Sequence, residues 1–176
     1  MYRFSTSLPY LLARLGVRMG ELFARELAWD GLTLPMFRVL AVLTEVAGPQ
    51  RLGELSALTS SETSTMSRLL AEMQRRGLVT RERPEDDQRS LSVRLTTQGA
   101  ELAARLIPRA AYYEQVAMGD LSPKRAAQLK AELTQIYERL DEVQDEIDAA
   151  EKAAKPRLVS GRPKTELTRQ PKGGGQ

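Results

Sequence analysis

Cysteine and histidine are both absent from the 176 residues. That excludes disulfides, zinc centres of the usual Cys/His kind, thiol redox chemistry, cysteine nucleophiles and histidine-dependent triads together. There is no glycine-rich phosphate loop. No apolar run approaches the roughly 20 residues needed to span a bilayer. The opening Met-Tyr-Arg-Phe-Ser carries no secretory hydrophobic region. These gaps predict a cytoplasmic chain with no cofactor, no metal and no membrane partner. Glu85, Asp86 and Asp87 cluster, but in a polar stretch with no pocket to shift their pKa values, so no catalytic centre is expected.

What remains is rich in helix formers: long Leu/Ala/Glu/Arg stretches, few aromatics (5%) and few glycines before the tail. The length suits one well-buried domain. A net charge of +3 hides a split. Residues 151–176 hold seven Lys/Arg against two Glu, leaving 19 basic and 21 acidic groups on residues 1–150. The body is therefore not globally basic, and any nucleic-acid contact has to come from a local patch. Residues 151–176, with Pro156, Pro163, Pro171 and a terminal glycine run, read as a disordered basic tail. Gly161-Arg162-Pro163-Lys164 within it is similar to the core of an AT-hook, although a solvated linker is the better reading.

Leu8, Leu11, Leu12, Leu15, Met19, Leu22 and Phe23 keep helical spacing and predict a first helix to Leu27. Gly31 marks a turn, after which Thr33 and Pro35 open a second helix with Phe37, Leu40, Leu43 and Val46 inward. Gly48-Pro49 stops it. A short helix follows with Leu52, Leu55 and Leu58 inward. Thr59-Ser60-Ser61 then starts another, with Met66, Leu69, Leu70 and Met73 buried, that runs to about Arg76 and ends at Gly77. Residues 78–81 and 91–95 read as strands around a charged tip, a β-hairpin. Helical spacing returns after Thr96, where Pro108 should introduce a kink. Ser122-Pro123 opens a last helix with an a/d seam of Leu129, Leu133, Ile136, Leu140, Val143 and Ile147.

Helix, tight turn, helix and ribbon is the order of a winged helix-turn-helix, whose second helix lies in the DNA major groove. The fold class expected is therefore mainly α with a small β-hairpin, flanked by N- and C-terminal dimerisation helices. On a helical wheel Ser64, Ser67, Arg68, Ala71 and Arg75 lie opposite the core residues. Small hydroxyl side chains let a helix approach the groove, and arginine can take guanine bidentately. Ser61 and Thr63 join them at the helix start, where the backbone favours phosphate. An ordinary solvated helix face is the competing reading of these residues alone.

Over Leu52 to Gly99 the sequence resembles the multiple antibiotic resistance regulator (MarR) family. Thr65-Met66-Ser67-Arg68-Leu69 followed by Gly77-Leu78-Val79 is similar to that family's T-V-S-R-L and G-L-V. Asp87-Gln88-Arg89, then Val93-Arg94-Leu95-Thr96 and Gly99, resembles its D-x-R and V-x-L-T-x-x-G, and Phe37-Arg38-Val39-Leu40 fits its second helix. Two departures are visible: Pro84 lies three residues before Asp87, not two, and Glu62 sits beside the helix start. The resemblance implies that Arg89 enters a minor groove, where narrow A/T-rich DNA attracts arginine, and that Asp87 holds it. A surface turn pair is the plain alternative for those two residues.

The resemblance also implies a homodimer with interleaved terminal helices, which agrees with two apolar seams that both need burial. Such a dimer would read a pseudo-palindromic double-stranded DNA operator with half-sites about 34–36 Å apart. The organisation expected is one domain over 1–150, with a DNA-binding lobe over about 33–96 and dimerisation helices over about 8–27 and 98–148. The function expected is a sequence-specific repressor released by a small anionic or aromatic effector, such as an aromatic acid or its acyl-CoA thioester. Arg14, Arg18 and Arg25, with Tyr10, form a row on the first helix that could receive such an anion. Pairing of Glu21 with Arg18 and Arg25 is the bland reading. Trp29 and Phe37 are further candidates for the effector cleft, with core packing the competing reading for both. The alternative function is a winged-helix protein scaffold without specific DNA reading.

Overall fold

The computed structural model describes residues 2–46, 48–82 and 91–154. It divides into two units, Met1–Asp120 and Leu121–Gln176. The first is mainly helical with one small sheet. A 3-10 turn over Phe4–Thr6 leads into α1, Leu8–Leu27. A second 3-10 turn at Ala28–Asp30 and a left-handed Gly31 (φ +66°) reverse the chain. Helix α2, Leu34–Glu45, begins as the sequence predicts: the Thr33 hydroxyl accepts from the Met36 amide, and proline occupies the first turn.

Strand β1 (Gln50–Arg51), α3 (Leu52–Leu58) and α4 (Thr63–Arg75) follow. At the end of α4, Gly77 adopts φ +70°. Its amide donates to Gln74, and the Leu78 amide donates to Met73. Together these bonds make a Schellman cap that only a residue tolerant of left-handed backbone fits easily. The chain then enters β2 (Val79–Glu82), returns as β3 (Ser92–Leu95) and runs into α5 (Thr97–Met118). The sheet is antiparallel in the order β1-β3-β2, with Arg81 opposite Val93 and Gln50 on its other side.

Met66, Leu70 and Met73 of α4 are fully buried with Leu27, Val39, Leu40, Leu55, Val93 and Leu106, so helices α1 to α5 and strand β3 share one core. Burial of each such side chain contributes about 1.5–3 kcal/mol. Phe23 anchors the α1 side by edge-on contacts to Phe37 at 4.8 Å and Tyr113 at 5.4 Å. The second unit is described only by α6, Pro123–Ala154, whose first turn is capped by the Ser122 hydroxyl.

The structure corrects four details. Leu58 is 57% exposed, because at 100° per residue it is Leu55 and Thr59, four apart, that face inward; Thr59 is buried with its hydroxyl donating to Leu55. Trp29 is 81% exposed and outside the core, since two residues from buried Leu27 it falls on the far side of the helix. The hydroxyl run at 59–61 does not open α4: Thr59 and Ser61 satisfy each other and the preceding turn, Ser60 takes φ +51°, and Glu62 holds the N-cap position without a side-chain cap bond. The hairpin is also joined by a third strand, β1.

Candidate nucleic-acid interface

Helix α4 is amphipathic with its two sides sharply divided. Met66, Leu70 and Met73 are inaccessible, whereas Thr63, Ser64, Arg68, Ala71 and Arg75 are exposed and Ser67 is half-buried. Arg68 pairs with no carboxylate among the described residues. Arg75 does pair, with Glu72 one turn earlier on the same helix. The outer face therefore offers short hydroxyls at its leading end and, behind them, a guanidinium with no carboxylate partner among the described residues. Side chains of this size permit close approach to a groove, and the unsatisfied amides of the first turn of α4 carry partial positive charge.

The preceding turn fixes where that end of the helix lies. The Ser61 amide donates to Ser56 and the Ser61 hydroxyl donates to Thr59, so Ser61 is engaged within the turn. Beyond α4, β2 and β3 pair over four residues each. Arg94 and Thr80 pair on the exposed side of this ribbon, while Arg81 faces the same side as buried Val79 and is half-buried. Asp87 and Arg89, expected at the wing tip, lie outside the described residues.

The root of the wing is closed by a cluster around Gly77, Leu78 and α5. The Thr96 hydroxyl donates to the Gly77 carbonyl at 2.6 Å and accepts from the Gly99 amide at 3.0 Å. The Thr96 amide donates to the Leu78 carbonyl. Gly99 lies so close to Leu78 that a Cβ there would fall 2.0 Å from the Leu78 carbonyl oxygen. This explains physically why Thr96 and Gly99 accompany Gly77-Leu78: α5 begins against the backbone that leaves α4.

The expected effector residues do not form one site. Tyr10, Arg14 and Arg18 line a shallow groove on α1 together with Val17 and Glu21. Among the described residues Glu21 forms no ion pair with Arg18 or Arg25. Trp29 stands apart on the surface, and Phe37 lies 9% exposed beneath a different groove lined also by Ala41 and Ile107. A cleft not anticipated from sequence opens between α1, α2 and α5. Its volume is about 260 Å³, and its lining includes Gly16, Gly20, Phe23, Arg38 and Tyr113. The Tyr113 hydroxyl donates to Glu26, and that bond, reinforced by burial and the Glu26 charge, raises its pKa above the ordinary tyrosine value. Glu26 in turn holds Arg109 at 2.8 Å. Two glycines one turn apart, Gly16 and Gly20, were the available sequence signal for this cleft.

Several apolar side chains remain uncovered. On α1, Leu8, Leu11, Leu12 and Leu15 are 39–52% exposed, and on α6 Leu140, Val143 and Ile147 are 48–59% exposed.

Comparison with known proteins agrees with this geometry. Residues 30–90 match the model of the MarR family. The transcriptional regulator HosA of Escherichia coli O157:H7 is 32% identical over 91 residues, which cover 52% of this chain and 67% of that protein. Among solved structures, the MarR family regulator SPO1453 of Silicibacter pomeroyi DSS-3 is 31% identical, with a TM-score of 0.68 over 80% of this chain and 99% of its own. Bordetella bronchiseptica BpsR, described as regulated in its DNA binding by 6-hydroxynicotinic acid, is 25% identical, with a TM-score of 0.69 over 78% of this chain and 97% of its own. A buried-faced helix presenting hydroxyls and arginine, a braced wing and these likenesses lead to one assignment: the chain belongs to the MarR family of winged-helix, DNA-binding transcriptional regulators.

Proposed function

We propose that this regulator is a cytoplasmic homodimeric repressor that reads a pseudo-palindromic operator and is released by a small aromatic acid. The observation carrying this reading is the outer face of α4, where Thr63, Ser64 and Arg68 are exposed beside half-buried Ser67, Arg68 has no carboxylate partner among the described residues, and Met66, Leu70 and Met73 on the opposite face are inaccessible. Arg68 takes the guanine-reading role, and the hydroxyls contact base edges or phosphates. Arg75 reaches DNA only by exchanging its Glu72 partner for phosphate. Ser61 acts through the turn it closes. Arg89, with Asp87 beside it, supplies the minor-groove contact from the wing. The exposed leucines of α1 and the seam of α6 supply apolar surface for a second copy, since patches of this kind mark interaction sites.

The cleft of Phe23, Arg38 and Tyr113 is the better effector site than the arginine row on α1. It combines an aromatic wall with one exposed cation, Arg38, the pairing a small aromatic carboxylate needs. The aromatic acid that regulates BpsR belongs to this chemical class. The Tyr10, Arg14 and Arg18 groove is open along a single helix and has no aromatic wall from another element.

The test is a binding assay with the DNA upstream of the protein's own coding sequence, against a random duplex, at low and moderate salt. Selective binding that falls about 10-fold or more in Arg68→Ala supports the reading, since one bidentate base contact discriminates by about 1–3 kcal/mol. Equal binding to both duplexes refutes it. Benzoate and pyridine carboxylates added to the complex test the effector: release in the wild type, lost in Arg38→Ala without loss of DNA binding, identifies the cleft.

A further inference from the structure

The recognition helix is held from behind by the residue that ends it. Arg76 caps α4, and its guanidinium reaches back to the connection between α1 and α2. Its Nη1 donates to the Gly31 carbonyl at 2.8 Å and lies 3.4 Å from the Met36 sulfur, and its Nη2 donates to the Asp30 carbonyl at 3.2 Å. The turn it grips is fixed in its own right. Gly31 is left-handed, and the Asp30 carboxylate accepts from Arg105 of α5 at 2.7 Å. One turn away on both elements, Glu26 meets Arg109. Arg76 therefore ties the recognition helix to a turn that is itself salt-bridged to α5.

From charge alone, Arg76 would join Arg68 and Arg75 as a phosphate contact. Its donors are instead committed to two successive carbonyls of its own chain. The structure assigns Arg76 a positioning role: it fixes the trailing end of α4 against the Asp30–Gly31 turn, and so sets the angle at which Ser64, Ser67 and Arg68 meet the groove, without touching DNA itself. This assignment rests on α4 being the recognition helix.

The physical basis is the shape of the guanidinium. Its planar fork matches two carbonyls at once, whereas a lysine ammonium is a point charge that holds the turn less rigidly. Arg68 lies eight residues, about 12 Å, from Arg76 along the helix, so a change in tilt is carried directly to the reading side chains. Base-edge hydrogen bonds tolerate little displacement or misalignment. Attraction to phosphates is largely independent of such geometry. Losing the fork should therefore cost sequence discrimination and spare nonspecific binding.

Arg76→Lys keeps the charge and removes the fork, and Arg76→Gln removes both. The two variants and the wild type are titrated with the upstream duplex and with a random duplex of the same length, across a range of salt. The expected result is that Arg76→Lys binds the upstream duplex about 10-fold more weakly, the size of one lost base contact. Its affinity for random DNA and its salt slope should stay as in the wild type. Arg105→Gln, which removes only the exposed support behind Asp30, should reduce discrimination in the same way but less, and it carries the test if Arg76 variants fail to fold. If Arg76 contacts phosphate, Arg76→Lys will bind like the wild type. Arg76→Gln will then lose affinity for both duplexes, with a salt slope smaller by about 1. That outcome, or undiminished discrimination in every variant, overturns the assignment alone. A wild type that does not discriminate overturns the recognition-helix reading and this assignment with it.

Discussion

Replacing Gly99 with alanine should destabilise the protein although alanine is the better helix former. The new Cβ would lie 2.0 Å from the Leu78 carbonyl oxygen and 3.0 Å from its carbonyl carbon. Even close C–H···O contacts lie at about 3.3–3.6 Å, so the overlap exceeds 1 Å. The obstacle cannot swing aside. The Leu78 carbonyl accepts from Thr96, the Leu78 amide donates to Met73, and the Leu78 side chain is 2% exposed. Relief requires separating α5 from the wing root. Overpacking of this kind costs about 1–3 kcal/mol or more, against a propensity gain of at most about 1 kcal/mol at a helix interior and less in its first turn. A net loss of about 2 kcal/mol corresponds to a melting temperature lower by roughly 4–8 °C for a chain of this size. Thermal denaturation followed by circular dichroism measures it, at one fixed protein concentration because assembly shifts the midpoint. Gly53→Ala on α3, where an added Cβ meets nothing within 4 Å, is the control and should hold or gain stability. A Gly99→Ala protein melting with the wild type, or above it, would refute the contact argument.

Other changes are equally specific. Thr96→Val removes both the cap on Gly99 and the bond to Gly77, and should lower stability in urea by about 1–2 kcal/mol; an unchanged midpoint would show the cap is replaced by water. Tyr113 is neutral and bonded to Glu26 below the ordinary tyrosine pKa, and the stabilisation this gives is lost only as pH rises through its raised value. Glu26→Gln should bring that ionisation down, read as the tyrosinate absorbance missing in Tyr113→Phe. Leu12→Glu with Leu15→Glu, both on the exposed stripe of α1, should yield single chains by light scattering, and an intact dimer would move the interface elsewhere.

Periodicity made most of the helical frame readable in advance. The boundaries of α1, the cap and proline of α2, the glycine end of α4 and the Ser122 cap of α6 each depend on residues within a few positions of one another. What escaped was nonlocal. β1 is two residues long and is a strand only because β3 lies beside it. Thr59-Ser60-Ser61 carries the composition of a helix start, yet Thr59 is drawn into the core and the helix begins later. On the outer face of α4, Ser64 and Arg68 were legible from the wheel, because one face of a helix is fixed once its core residues are known. The engagement of Arg76 with Asp30 and Gly31 spans 45 residues or more, and no local pattern announces it.

The wing has a firmly built root: four ladder pairs, the Thr96 bonds and the Gly99 contact all lie at or below Glu82 and Ser92. Loop-closure cost in general rises by only about 0.6 kcal/mol for each doubling of the length between two fixed ends. Insertions, deletions and substitutions across residues 83–90 can therefore accumulate without altering the frame below. A lineage carrying this architecture can edit those eight residues while the helices of the core stay as they are.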